Sequence, residues 1–140
     1  MGLFDIFKKK STPAKIVEKT LPPETLRWNK MWDMWADEQI ESPYHDLMTY
    51  QSEVNNGGHS QFFFNVENTG DVDAVVKENL SILPEVHKRN LEEAYSAYKK
   101  YSDVDDDKMD EILDNCDHVF YENEELINEI LEKRAESIEL

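Results

Sequence analysis

Apolar side chains recur along this chain at steps of three and four, the period of a helix face. Trp28, Met31, Trp32 and Trp35 form the first such stripe in the body and predict a helix from about Glu24 to Glu38, entered through Pro22-Pro23. Ser42 as cap and Pro43 at the first turn predict a second helix, carrying Tyr44, Leu47, Met48, Gln51 and Val54 up to Asn55-Asn56-Gly57-Gly58. A short aromatic helix is expected over Gln61–Asn65, with Phe62, Phe63 and Phe64 largely buried because three adjacent phenyl rings are too apolar for a free loop. Gly70-Asp71 leads into a helix with Val72, Val75, Val76, Leu80 and Leu83, and Pro84 opens another whose Val86, Leu91, Ala94, Tyr95 and Tyr98 point inward. Two further inward stripes follow, first Met109, Ile112, Leu113, Cys116 and Phe120, then Leu126, Ile127, Ile130, Leu131 and Ile138. No alternation of period two marks a strand. The pattern predicts an all-α fold: a single compact domain of about six to eight helices over residues 21–140.

Residues 1–20 read differently. Leu3, Phe4, Ile6 and Phe7 can share one helix face and run directly into Lys8, Lys9 and Lys10, an amphipathic pattern suited to an anionic surface. Thr12 before Pro13 is placed to cap a second short helix through Lys19. Position 6 lacks the Ser or Thr of an N-myristoylation site, so lipidation is not expected. This segment has two readings: a tail that docks on its own domain or stays mobile, or a transient membrane contact through residues 1–10.

Residues 53–65 carry the densest local information. Asn and Gly tolerate positive φ, so Asn55, Asn56, Gly57 and Gly58 mark a sharp corner between helices. Gln61 and Asn65 flank the phenylalanines and, if buried, need hydrogen-bond partners. The corner offers no evident nucleophile, base or metal cage. His45, His59, His87 and His118 are scattered, and no phosphate-cradling glycine loop is present. Cys116 falls on an apolar helix face beside Asp117, a setting for an inert thiol. Asp103, Asp105 and Asp107 start like a calcium loop, but Lys108 stands where such a loop has Gly and Asp114 where it has Glu. No catalytic chemistry, metal or cofactor is therefore expected.

The corner resembles the motif of the DMP19-like proteins, a bacterial family known for DNA mimicry. Tyr50, Glu53, Asn55, Asn56, Gly57, Gly58, Gln61, Phe62, Phe63 and Asn65 match its Glu-x-Asn-Asn-Gly-Gly-Phe-x-Gln-Phe-Phe-x-Asn pattern and the tyrosine-bearing helix before it. His59 stands where the family usually has Phe. Leu113, Asp114, Asp117, Phe120 and Tyr121 resemble a second family element. The resemblance spans roughly residues 25–138. It implies an all-helical fold, a DNA-mimic role known from one branch of the family, and a homodimer.

Charge then sharpens the picture. The 140-residue chain holds 31 acidic and 15 basic residues, a formal charge of −16. Residues 1–20 are basic, with five lysines against Asp5 and Glu18, whereas residues 101–140 set fifteen carboxylates against Lys108, Lys133 and Arg134. Phosphate would be repelled by such a body, so direct nucleic-acid binding is not expected and a basic partner is the complement. Asp103, Asp107, Asp110, Asp114 and Asp117 step by helical intervals, as do Glu125, Glu129, Glu132, Glu136 and Glu139. Carboxylates so spaced lie roughly 5 Å apart along a helix axis, comparable to the ~3.4 Å between phosphates on one DNA strand. These stripes are candidate partner-binding residues; the competing reading is a solvated face that keeps the protein soluble.

The functional expectation is a non-enzymatic interaction protein whose acidic helices occupy the basic surface of a DNA-binding protein, such as a transcription factor or nucleoid protein. The alternative is a membrane-proximal adaptor anchored by the N-terminal segment. A single cysteine, no secretory signal and no apolar run near 18 residues predict a cytoplasmic, reduced protein.

Overall fold

The computed structural model describes residues 21–140. The expected amphipathic segment at Leu3–Lys10 and the short helix to Lys19 lie outside the described residues. Within them are six helices and no strand: α1 Pro23–Ala36, α2 Tyr44–Thr69, α3 Val72–Leu80, α4 Glu85–Tyr101, α5 Asp106–Glu122 and α6 Glu124–Ala135. Helix α2 runs through the middle, packing on α3, α5 and α6, while α4 lies against both α3 and α5, and α1 covers α6.

The helix boundaries follow local chemistry. Asp71 caps α3 by accepting from the Ala74 N–H, and Asp105 caps α5 by accepting from the Lys108 N–H. The second of these explains the aspartate run that begins like a calcium loop: Asp105 and Asp106 turn the chain into a helix, Asp106 accepting from the Asp103 N–H. Helix α1 stops two residues before the expected end. Glu38 takes a left-handed φ of 58°, and the N–H groups of Glu38 and Gln39 return to the Trp35 and Met34 carbonyls. No glycine announces that stop in the sequence, which is why the periodicity overran it. Helix α2 begins at Tyr44, and Ser42 does not cap its backbone; the Ser42 hydroxyl donates to the Asp46 carboxylate instead.

The core is aromatic at its centre. Tyr50, Phe62, Phe63 and Phe120 are all sealed from solvent. Phe63 stacks on Tyr98 at 4.7 Å, Phe62 meets the Tyr50 edge at 5.0 Å, and Phe120 meets Tyr50 at 5.5 Å. Each such phenyl contributes about 1.5–3 kcal/mol by leaving water. Phe64 departs from expectation: it is 63% exposed. Three consecutive residues span some 200° of helix circumference, so one ring of the three has to face away from any single core. The tryptophans also sit further out than the stripe predicts. Met31 alone is fully inside, while Trp28, Trp32 and Trp35 lie half-buried on the rim, edge to face with one another.

The C-terminal end is tied down by side chains of α1 and the following loop. Arg27 donates to the Ile138 carbonyl, and Arg134 makes a two-pronged pair with Glu41. Arg134 thereby holds the Glu41 carboxyl below its ordinary range.

His87 gives the fold a pH dependence. Its Nε2–H donates to the Asn123 carbonyl at 2.8 Å, joining α4 to the α5–α6 junction, while Nδ1 is buried without a partner. Burial lowers its pKa below 6.5, an effect the Asn123 bond partly opposes. The unfolded chain therefore binds the proton more readily, and the stabilisation is complete above pH 6.5 and is lost as pH falls through the lowered folded-state value. Urea unfolding from pH 7.5 downward should show this decline, and His87→Gln, which keeps a donor for Asn123, should flatten it relative to the parent.

Candidate functional site

The asparagine–glycine corner is a kink within α2. Gly58 takes φ 77°, ψ −176°, a conformation open to glycine and strained for other residues. The first limb of α2 ends there and a second begins, running on to Thr69 and so well beyond the Gln61–Asn65 helix that the phenylalanines suggested. Two fresh helix ends inside one helix leave backbone groups needing partners. Helix α5 supplies them. Asp117 Oδ1 accepts from the His59 N–H at 2.8 Å, capping the second limb, and the Tyr121 hydroxyl donates to the Val54 carbonyl at 2.7 Å, satisfying the first.

His59 completes the joint. Its Nδ1 lies 2.6 Å from the same Asp117 oxygen, and its Nε2 lies 2.6 Å from the Tyr50 hydroxyl. A carboxylate accepts, so Nδ1 carries the proton and Nε2 receives the Tyr50 O–H. Burial, reinforced by nearby Cys116 and Asp117, pushes the Tyr50 phenol well above its usual pKa and keeps it a donor. Tyr50, His59 and Asp117 have the order of a proton relay, yet Tyr50 and His59 have no exposed surface. The relay is a lock between α2 and α5, and it shows how a histidine fits at this position: it gains two hydrogen bonds where a phenyl ring has none.

The rest of the motif braces the lock. Asn65 donates across the kink to Glu53, and the Gln61 side chain fills the space under Gly57. Asn55 donates to Glu124 at 2.6 Å, and Gln51 donates to Glu124 and to Asn128, linking α2 to α6. Asn56 is exposed, and Phe62 and Phe63 are core. Cys116 is buried, and burial raises its thiol to about 12. Among the described residues no three His, Cys, Asp or Glu side chains gather as a metal site, and no helix is long and apolar enough to cross a membrane.

The candidate carboxylates separate into groups. Asp107, Asp110 and Asp114 are exposed on α5, and Glu125, Glu129 and Glu132 on α6. Asp103 is exposed in the turn before α5, with φ 63°. Glu136 is the exposed residue that ends α6, and Glu139 lies exposed beyond it, so these two are not on the helix face the spacing suggested. Asp117 leaves the stripe altogether: it turns inward to His59. The periodicity could not reveal this, because i, i+3 and i+4 spacing places a residue only to within the width of a face. Its neighbours Cys116 and Phe120, both buried, were the available signal. Among the described residues, no lysine or arginine pairs with any of these exposed carboxylates; the cation pairs that form use Asp73, Glu85 and Glu41.

The two sequence elements thus meet in space, Gly58 and His59 against Asp117, and Val54 against Tyr121. Residues 37–138, from just after α1 to nearly the end of the chain, match the family model of the DMP19-like protein. The chain belongs to the DMP19-like family. No curated protein and no solved structure matches it significantly. Helix α1, with its three tryptophans, precedes the span matched to the DMP19-like model.

Proposed function

We propose that this DMP19-like chain is a non-enzymatic interaction protein that occupies the basic DNA-binding surface of another protein, a transcription factor or nucleoid protein being the fitting class. One observation carries the reading: the exposed carboxylates of α5 and α6 stand at phosphate-like intervals with no lysine or arginine paired to them among the described residues. Neighbouring like charges on a helix each cost about 0.2–0.5 kcal/mol, so the arrangement does not serve local stability. It favours a cationic surface brought from outside. Carboxylates then stand in for phosphates, long-range attraction speeds encounter, and bound DNA is displaced. The family membership supports the same direction. The sealed state of Tyr50 and His59 supports a role without catalysis.

The test is recovery of partners by the tagged full chain at low and at raised salt. A DNA-binding protein should be retained at low salt, released as salt rises, and released at low salt by added duplex DNA. Retention of membrane proteins, or of nothing sensitive to salt, would reduce the carboxylates to a solubility feature.

A further inference from the structure

A cleft of about 480 Å³ opens between the start of α1 and the end of α6, within the size range of pockets that bury apolar groups. It is lined by the apolar Trp28 and Ala135, by Thr25, and by the carboxylates of Glu24, Glu132 and Glu136. Arg27, also in the lining, is engaged with the Ile138 carbonyl. None of the three carboxylates pairs with a described lysine or arginine. Three carboxylates against the one guanidinium of Arg27 leave the lining anionic, and beside Trp28 and Ala135 this suits a ligand with apolar side chains next to ammonium groups.

The chain itself carries such a segment. Leu3, Phe4, Ile6 and Phe7 are followed at once by Lys8, Lys9 and Lys10. We propose that residues 3–10 dock in this cleft, with phenyl rings against Trp28 and Ala135 and lysines on Glu24, Glu132 and Glu136. The reach is sufficient. Residue 21 adjoins α1, whose first turn lines the cleft, and the stretch from Lys10 to there, with the short helix expected through Lys19 at about 1.5 Å per residue, still spans about 25 Å. A short tether also gives the segment an effective concentration on the order of millimolar, so a weak contact is enough to fill the cleft. One consequence rests on the partner reading above: the docked lysines cover Glu132 and Glu136 against a competing basic surface. The docking itself does not depend on it.

Zero-length carbodiimide cross-linking of the full chain, read by mass spectrometry on an equal mixture of ¹⁴N- and ¹⁵N-labelled protein, tests the docking. Amide links from Lys8–Lys10 to Glu24, Glu132 or Glu136 should form within single chains. They should be lost in full-length Phe4→Ser/Phe7→Ser, which keeps every lysine. Links that persist in that variant, or that spread evenly over Asp107, Asp110 and Asp114, would show charge attraction without docking and overturn the proposal. Links joining heavy to light chains would give the cleft to a second copy, and absence of links would leave it without this occupant; both refute docking of the chain's own segment.

Discussion

Asp117→Ala is expected to destabilise the protein by about 2–4 kcal/mol, whereas Asp114→Ala, one turn away on the same helix, should change stability by about 0.5 kcal/mol or less. Both residues belong to one acidic series in the sequence, but only Asp117 receives hydrogen bonds from another helix. Truncating it strands the His59 N–H and Nδ1–H at the start of the second limb of α2, and a stranded donor costs roughly 1–3 kcal/mol. Asp117→Asn separates the two contributions of the side chain. Its amide oxygen still accepts, so the variant should recover most of the loss. Gly58→Ala attacks the same joint from the other side. A Cβ there would lie 2.4 Å from Asp117 Oδ2 in a backbone conformation with φ +77°, and a destabilisation of about 1–3 kcal/mol from strain alone is expected. Urea unfolding of the four variants provides the measurement. Equal effects of Asp117→Ala and Asp114→Ala would remove the lock from the account of the fold.

Neutralising exposed carboxylates should do the reverse, lowering partner binding while slightly raising stability. The variant Asp110→Asn, Glu111→Gln, Asp114→Asn and Glu129→Gln removes four negative charges from exposed helix positions without touching the lock. It also removes like-charge neighbours at i+3 and i+4, each worth about 0.2–0.5 kcal/mol. Electrostatic steering raises association rates by roughly 10–10³-fold, so the association rate with a basic partner should fall by about tenfold or more, and its dependence on salt should become shallower. Stopped-flow or surface binding kinetics at several salt concentrations would read this directly. An unchanged association rate in a variant that folds normally would favour the solubility reading of these residues. The opposed signs matter, since loss of fold cannot imitate loss of binding when stability has risen.

Much of this protein is written in its sequence because helices are local. The 3.6-residue period, the prolines at Pro22-Pro23 and Pro84, and the capping Asp71 specify most helices through contacts within a few residues. Gly57 and Gly58 specify a break for the same reason: the conformation at Gly58 is close to unavailable to other residues. Net charge and its concentration toward residues 101–140 are likewise properties of the chain alone. What the sequence could not decide is which way an ambiguous side chain turns. Phe64 sits in an apolar run yet faces solvent, because α2 presents only one side to α5 and the core. Asp117 sits in an acidic stripe yet faces inward, because the kink in α2 leaves orphan backbone donors opposite it. Tyr50 and His59, nine residues apart in sequence and hydrogen-bonded in space, acquire their roles from that same kink. Local propensity fixes where helices start, stop and bend; only the packing of α2 against α5 determines which polar groups have to satisfy one another, because that demand arises where two distant segments exclude water together.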